Sequence, residues 1–191
     1  MSVNIRRGLP TDREALRSIH SASWRDAYKD IVPPEAFGAP FQAVMSRRWD
    51  QWPADRVIYV AQSEEAGADI LGFAALVQTS APGWCLDNLH MDPLARGQGV
   101  GRALFARAAR HVLGAQNGAS NLWLEVLARN TAARRFYGRL GGVEGRAQDT
   151  RLLGYPADYV GVRWDAAALA AIVEKDREPR KNPLDGHGGK P

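Results

Sequence analysis

The chain has 191 residues, 45% of them hydrophobic, and a formal net charge of +4, which fits one domain with a core of useful size. A single cysteine, Cys85, excludes an internal disulfide framework, and no apolar run nears the ~18 residues of a membrane span. The positive charge forms no basic run interleaved with aromatics, so no nucleic-acid groove is expected. Residues 1–7 lack the apolar core of a signal peptide, and the expected compartment is a reducing cytoplasm.

In chain order, Val3 to Arg7 alternates as a first strand. Thr11 or Asp12 is placed to cap a helix whose apolar stripe is Ala15, Leu16 and Ile19. Trp24 and Tyr28, four apart, share a helix face. A second helix is expected near 41–51 and a second strand over Val57 to Gln62. Ser63 to Asp69 reads as a hairpin turn and Ile70 to Thr79 as the third strand. Ala81-Pro82-Gly83 turns the chain into a fourth strand, Trp84 to Met91, which Asp92-Pro93 stops. A helix follows from Gly99 to about Ala115, then a fifth strand over Leu122 to Leu127 and a helix from Thr131 to Leu140 closed by Gly141. Val143 to Thr150, a loop at 153–156, Tyr159 to Trp164 and a short helix capped by Asp165 complete the pattern. Residues 174–191 hold three of the four lysines and few apolar side chains, and read as a disordered tail behind a single domain over 1–173.

The central unit is strand, glycine loop, helix. Arg96-Gly97-Gln98-Gly99-Val100-Gly101-Arg102 places three glycines in five residues ahead of a helix whose apolar residues fall at 104, 105, 108 and 112. Helix N-termini leave amides unpaired and carry partial positive charge, and glycines let those amides approach a phosphate. A Walker loop requires Lys and Ser or Thr after the last glycine; Arg102-Ala103 stands there instead. A dinucleotide fingerprint fails too, because the sixth position falls on Arg102 or Leu104. The pattern Arg96-x-x-Gly99-x-Gly101 resembles the pyrophosphate loop of the GNAT superfamily of acyl-CoA-dependent N-acyltransferases. Leu122 to Leu127, Asn130-x-x-Ala133, Phe136-Tyr137 and Leu140-Gly141 resemble that family's fifth strand and following helix, and Ser23 to Pro34 is similar to its acceptor-side segment. One departure is Gly142, where the family usually has Phe; it reads as packing lost at the start of the sixth strand.

The resemblance implies an α/β (α+β) fold: a mixed, mostly antiparallel sheet of about seven strands flanked by helices, with the fourth and fifth strands splayed. It implies acetyl-CoA as acyl donor, with no metal. The loop Gly97 to Arg102, with Arg96 at its rim, would take the pyrophosphate. Leu89, His90 and Met91 would pair with the pantetheine arm, the Leu89 amide serving as oxyanion donor, and Asn130 would both cap its helix and reach that arm. Forming an amide from a thioester also requires a neutral amine and a protonated leaving thiolate. Glu125, flanked by Trp123 and Leu127, is the expected base, partly desolvated; Asp87 is its rival or a partner for the acceptor's ammonium. Tyr137 is the expected acid, and Trp24 and Tyr28 would wall the acceptor pocket.

The reading is therefore an N-acetyltransferase acting by direct attack in a ternary complex on a primary amine, whether of a small molecule or of a protein or peptide. A homodimer is compatible with it. A non-catalytic acyl-CoA-binding module is the alternative, and a transferase acting on aminoacyl-tRNA a third; Glu125 and Tyr137 together favour an enzyme. The identity of the amine is not encoded in any pattern of the chain.

Overall fold

The computed structural model describes residues 2–65, 69–79, 83–115 and 121–177. Seven strands, β1 (Val3–Arg7), β2 (Arg56–Ser63), β3 (Ile70–Gln78), β4 (Trp84–Met91), β5 (Leu122–Leu127), β6 (Val143–Leu152) and β7 (Tyr155–Trp164), form one sheet. Its order is β1-β2-β3-β4-β5-β7-β6. Every pairing is antiparallel except β4 with β5. The expected mixed, mostly antiparallel sheet is thus present.

Among the described residues five α-helices cover it: α1 (Arg13–Tyr28), α2 (Ala39–Trp49), α3 (Val100–Gly114), α4 (Thr131–Arg139) and α5 (Ala166–Arg177). On one face, Leu104, Phe105, Ala108 and Val112 of α3 pack with Leu122, Leu124 and Val126 of β5 and with Leu169 of α5. Each such Leu, Val or Phe contributes about 1.5–3 kcal/mol by leaving water. On the other face, Leu16 and Ile19 of α1 and Phe41, Met45 and Trp49 of α2 meet Ile58, Val60 and Phe73.

Four local readings change. Asp12 stands at the start of α1, yet its carboxylate holds the Arg6 guanidinium at 2.8 and 2.9 Å and the Leu9 amide at 2.8 Å rather than capping the helix. Pairing with Arg6 keeps that carboxyl below its ordinary value. The β6–β7 connection is shorter than expected: Leu153 and Gly154 both have positive φ, 52° and 90°, so a two-residue turn keeps Leu152 opposite Tyr155. Pro156 is tolerated on β7 because β5 pairs only from Tyr159 onward. The last helix runs to Arg177, capped by Asp165 through the Ala168 amide at 2.8 Å. Asp176 pairs with Arg110 of α3 at 2.8 Å, so the chain is ordered past residue 173; the rest of the expected tail lies outside the described residues.

The fourth concerns Gly142. A Cβ there would lie 2.6 Å from both Trp164 Cζ2 and Val162 Cγ1. Packing is not lost at this point: the buried Trp164 ring fills it, anchored by its indole N–H to the Leu140 carbonyl at 2.9 Å. Gly142→Ala is expected to destabilise the fold by about 1–3 kcal/mol, the usual cost of overpacking, read as a lower urea midpoint at unchanged m-value.

Candidate active site

The sheet opens where the sequence places its glycine loop. β4 and β5 pair only at Trp84↔Leu122 and Cys85↔Trp123. Beyond that point the two parallel strands diverge. The Asp92 amide bonds the Leu71 carbonyl at 2.9 Å, so alternation turns the Leu89 and Met91 amides away from β3 and toward β5. The Ala128 amide bonds the Asp158 carbonyl of β7 at 2.8 Å, which leaves the backbone groups of Glu125 and Leu127 facing β4. Two strand edges therefore look at each other across a slot; on the β5 side the Leu127 carbonyl already accepts from the Asn130 amide at 2.8 Å, while the Leu89 and Met91 amides of β4 face the slot.

The glycine loop lies at the end of β4. Gly97 and Gly99 have φ of 76° and 83°, a region that side chains disfavour, and Gly99 is the residue from which α3 starts. Met91 covers Gly101: a Cβ there would meet the Met91 Cε at 3.0 Å. Val100 is buried, and the Gln98 amide donates to the Leu94 carbonyl at 2.9 Å. The two arginines of the loop have other partners here. Arg96 is paired with Asp26 of α1, and Arg102 donates to the Lys175 carbonyl of α5 at 3.2 Å.

From α4, Asn130 caps the helix, its side chain accepting from the Ala133 amide at 3.2 Å. Tyr137 is buried against Phe105 and Trp164, with ring centroids at 6.4 and 5.8 Å. Burial pushes its phenol well above the ordinary value, and the Tyr28 phenol adds to the shift. Tyr28 is itself pushed up to about 12 by burial and packs edge-on against Trp24 at 5.3 Å. Tyrosines from α1 and α4, on opposite faces of the sheet, thus interact electrostatically.

The two carboxylates differ from expectation. Asp87 is the extra residue of a bulge: Ala75 pairs with Asn88 and Leu76 with Leu86. The bulge re-aims its side chain, and one oxygen accepts from Arg48, from Arg56 at 3.0 Å and from Asn88 at 2.7 Å. That oxygen ties α2 to the sheet and is not open to an ammonium. Glu125 is exposed rather than desolvated, because the separation of β4 uncovers it. Cys85, at the last paired position, has its thiol pushed up to about 12 by burial first and then by Asp87 and Glu125, so it holds no thiolate near neutral pH.

Sequence reasoning left one group aside. The His90 ring faces α1, stacks on His20 with centroids 4.4 Å apart and lies with Nδ1 3.1 Å from Ser23 Oγ. Gly72 permits this close fit of β3 on β4, since a Cβ there would lie 2.7 Å from the His90 carbonyl oxygen. A cavity of about 570 Å³ opens beside Leu127 at the far end of β5, bounded also by Ile31, Arg129, Thr150 and Ala157. No helix among the described residues is long and apolar enough to cross a membrane.

Comparison with known proteins agrees with this geometry. Residues 14–142 match the model of the Acetyltransferase (GNAT) family. The uncharacterized N-acetyltransferase YuaI of Bacillus subtilis (strain 168) is 24% identical over 178 residues, 91% of this chain and 99% of that one. The streptothricin acetyltransferase of Streptomyces lavendulae is 36% identical over 92 residues, 46% of this chain and 45% of that one. Among solved structures, the PaiA N-acetyltransferase of Thermoplasma acidophilum in complex with coenzyme A superposes with a TM-score of 0.64 at 22% identity, covering 84% of this chain and 98% of that one.

Proposed function

The chain belongs to the GNAT acetyltransferase family and is an acyltransferase, and from that premise we propose that it moves an acetyl group from acetyl-CoA to a primary amine by direct attack in a ternary complex. The observation that carries the reading is the slot between β4 and β5, with the Leu89 and Met91 amides on one side and the Gly97–Arg102 turn at its end. A pantetheine arm carries amides of its own and pairs with such an edge as an added strand would. The pyrophosphate then falls at the N-terminus of α3. The PaiA N-acetyltransferase of similar fold was solved in complex with coenzyme A, which supports acetyl-CoA as the donor.

With the thioester so held, its carbonyl oxygen meets the Leu89 amide, which stabilises the oxyanion as it forms. The amine nitrogen attacks the carbonyl carbon, the C–S bond breaks, and the sulfur takes a proton from Tyr137. The nitrogen loses its proton to Glu125 through water, since Glu125 is exposed and Asp87 is engaged. The high value of the Cys85 thiol speaks against an acetyl-cysteine intermediate. The acceptor is a small-molecule or peptide amine entering from the face of α1 and α2, and the cavity beside Leu127 and Arg129 gives it room.

The test is free-thiol release from acetyl-CoA across a panel of amines, joined to a melting scan. Acetyl-CoA is expected to raise the melting temperature in proportion to its occupancy, and Gly101→Leu to remove that rise by pushing Met91 into the slot. No shift at millimolar acetyl-CoA would end this reading.

A further inference from the structure

We infer that His90 is the residue that holds the attacking nitrogen: its Nε2 accepts a hydrogen bond from the neutral acceptor amine and so aims the amine's lone pair at the thioester carbon. The inference rests on the acetyl-transfer reading above and adds a substrate contact to it.

The place of the ring carries the argument. His90 lies between Leu89 and Met91, whose amides face the slot, and its side chain lies on the α1 face, the side from which the acceptor is proposed to enter. It is held on three sides. His20 stacks on it at an interplanar angle of 25°, Phe73 packs at 5.6 Å, and Ser23 Oγ meets Nδ1 at 3.1 Å. His20 is fixed in turn, fully buried, with its Nδ1 accepting the Trp49 indole N–H at 3.0 Å. Its Nε2 then carries the proton and is buried without a partner. That orphaned group costs stability, which is reasonable if the stack exists to fix the ring beside it. His90 itself is only partly buried, and its Nε2 has no bonding partner among the described residues.

One nitrogen of a locked imidazole is therefore left for a ligand. The 3.1 Å contact fits either tautomer; in the proposed one His90 Nδ1–H donates to Ser23 Oγ and Nε2 is bare. Burial first, then Arg48 and Arg96, keep the ring uncharged, with a value lowered to about 3; Asp87 opposes them and does not prevail. An uncharged acceptor favours the ammonium less than a carboxylate would, and so holds more readily the neutral amine, the only form with a lone pair to attack. Neither carboxylate offers this service, because Asp87 is engaged by two arginines and Glu125 stands exposed.

The full chain is assayed with acetyl-CoA and the best amine of the panel. His90→Leu is expected to lower kcat/KM for the amine about 10- to 100-fold, the range for losing one hydrogen bond in a site, with acetyl-CoA affinity unchanged. His90→Gln, which restores a side-chain acceptor, is expected to recover part of the loss. Amine kinetics in His90→Leu equal to those of the parent would overturn the proposal, as would equal losses in both variants accompanied by weaker acetyl-CoA binding, which mark a packing role. A nitrogen NMR spectrum of the unaltered protein decides the matter even where the variants fail to fold. The Nδ1–H tautomer with a bare Nε2 is expected at His90, and an Nε2–H tautomer refutes the inference. Absence of turnover with every amine in the unaltered protein is a failure of the acetyl-transfer reading, and the tautomer still tells whether His90 offers an acceptor.

Discussion

Replacing Tyr137 with Phe is expected to reduce turnover by roughly 10²–10⁴-fold, the range for a positioned acid, while acetyl-CoA binds as before. The substitution removes one oxygen from a ring that Phe105, Phe136 and Trp164 already hold, so the packing survives and a melting scan should show it. Burial keeps the phenol protonated throughout the working range. In the proposed role it would be loaded in every turnover, and the basic limb of the pH–rate profile would belong to other groups. Its proton would leave only as negative charge builds on the sulfur. Full activity in Tyr137→Phe, measured as thiol release, would assign the protonation to water and make Tyr137 a packing residue.

Acidification from pH 6.5 to pH 5 is expected to cost about 1.6 kcal/mol of stability through His20 alone, the slope approaching about 1.4 kcal/mol per pH unit once the unfolded ring is mostly protonated. His20 is fully buried, and burial lowers its value to about 2, with His90 and Arg48 adding to the shift. Above pH 6.5 the ring is neutral in both the folded and the unfolded chain, and stability does not depend on it. Below 6.5 the unfolded chain binds a proton that the folded one refuses, so stability falls as pH falls, down to about 2. His90, also lowered, acts in the same direction. Asp12 contributes in a separate window, because the stability from its pairing with Arg6 is lost only below the ordinary carboxylate range. Urea midpoints at pH 7, 6 and 5 measure the effect, and His20→Gln, which keeps an acceptor for Trp49, should remove about one proton from the slope. A flat stability between pH 7 and 5 would mean that the ring takes up its proton in the native state as readily as in the unfolded chain.

Much of this was legible in the residues. The strand, glycine loop and helix from 84 to 114 follow from local spacing, and so do the two strands that diverge around it once the resemblance is admitted. The Trp24–Tyr28 face and the Asn130 cap are contacts within a turn or two of chain, and periodicity reaches that far. What escaped depends on distance or on broken periodicity. The His90 ring meets Ser23 across 67 residues, and no pattern within either segment announces the other. Nothing in the spacing of β4 announces the bulge that turns Asp87 to Arg48 and Arg56. Glu125 has apolar neighbours at the right parity, yet those neighbours cover it only if the adjacent strand stays paired. Gly142 looked like a deletion because the ring that replaces its side chain comes from residue 164.

The slot has a mechanical meaning as well. The sheet is two panels, β1 to β4 and β5 to β6, hinged at two residue pairs near Cys85. A hinge so narrow resists bending poorly, and the angle between the panels must be set elsewhere. The brace is on the α3 face. α3 follows the first panel and α5 follows the second, and they are tied by Arg110 to Asp176 and by Arg102 to the Lys175 carbonyl. The last helix among the described residues thus acts as a strut on the α3 side of the gap.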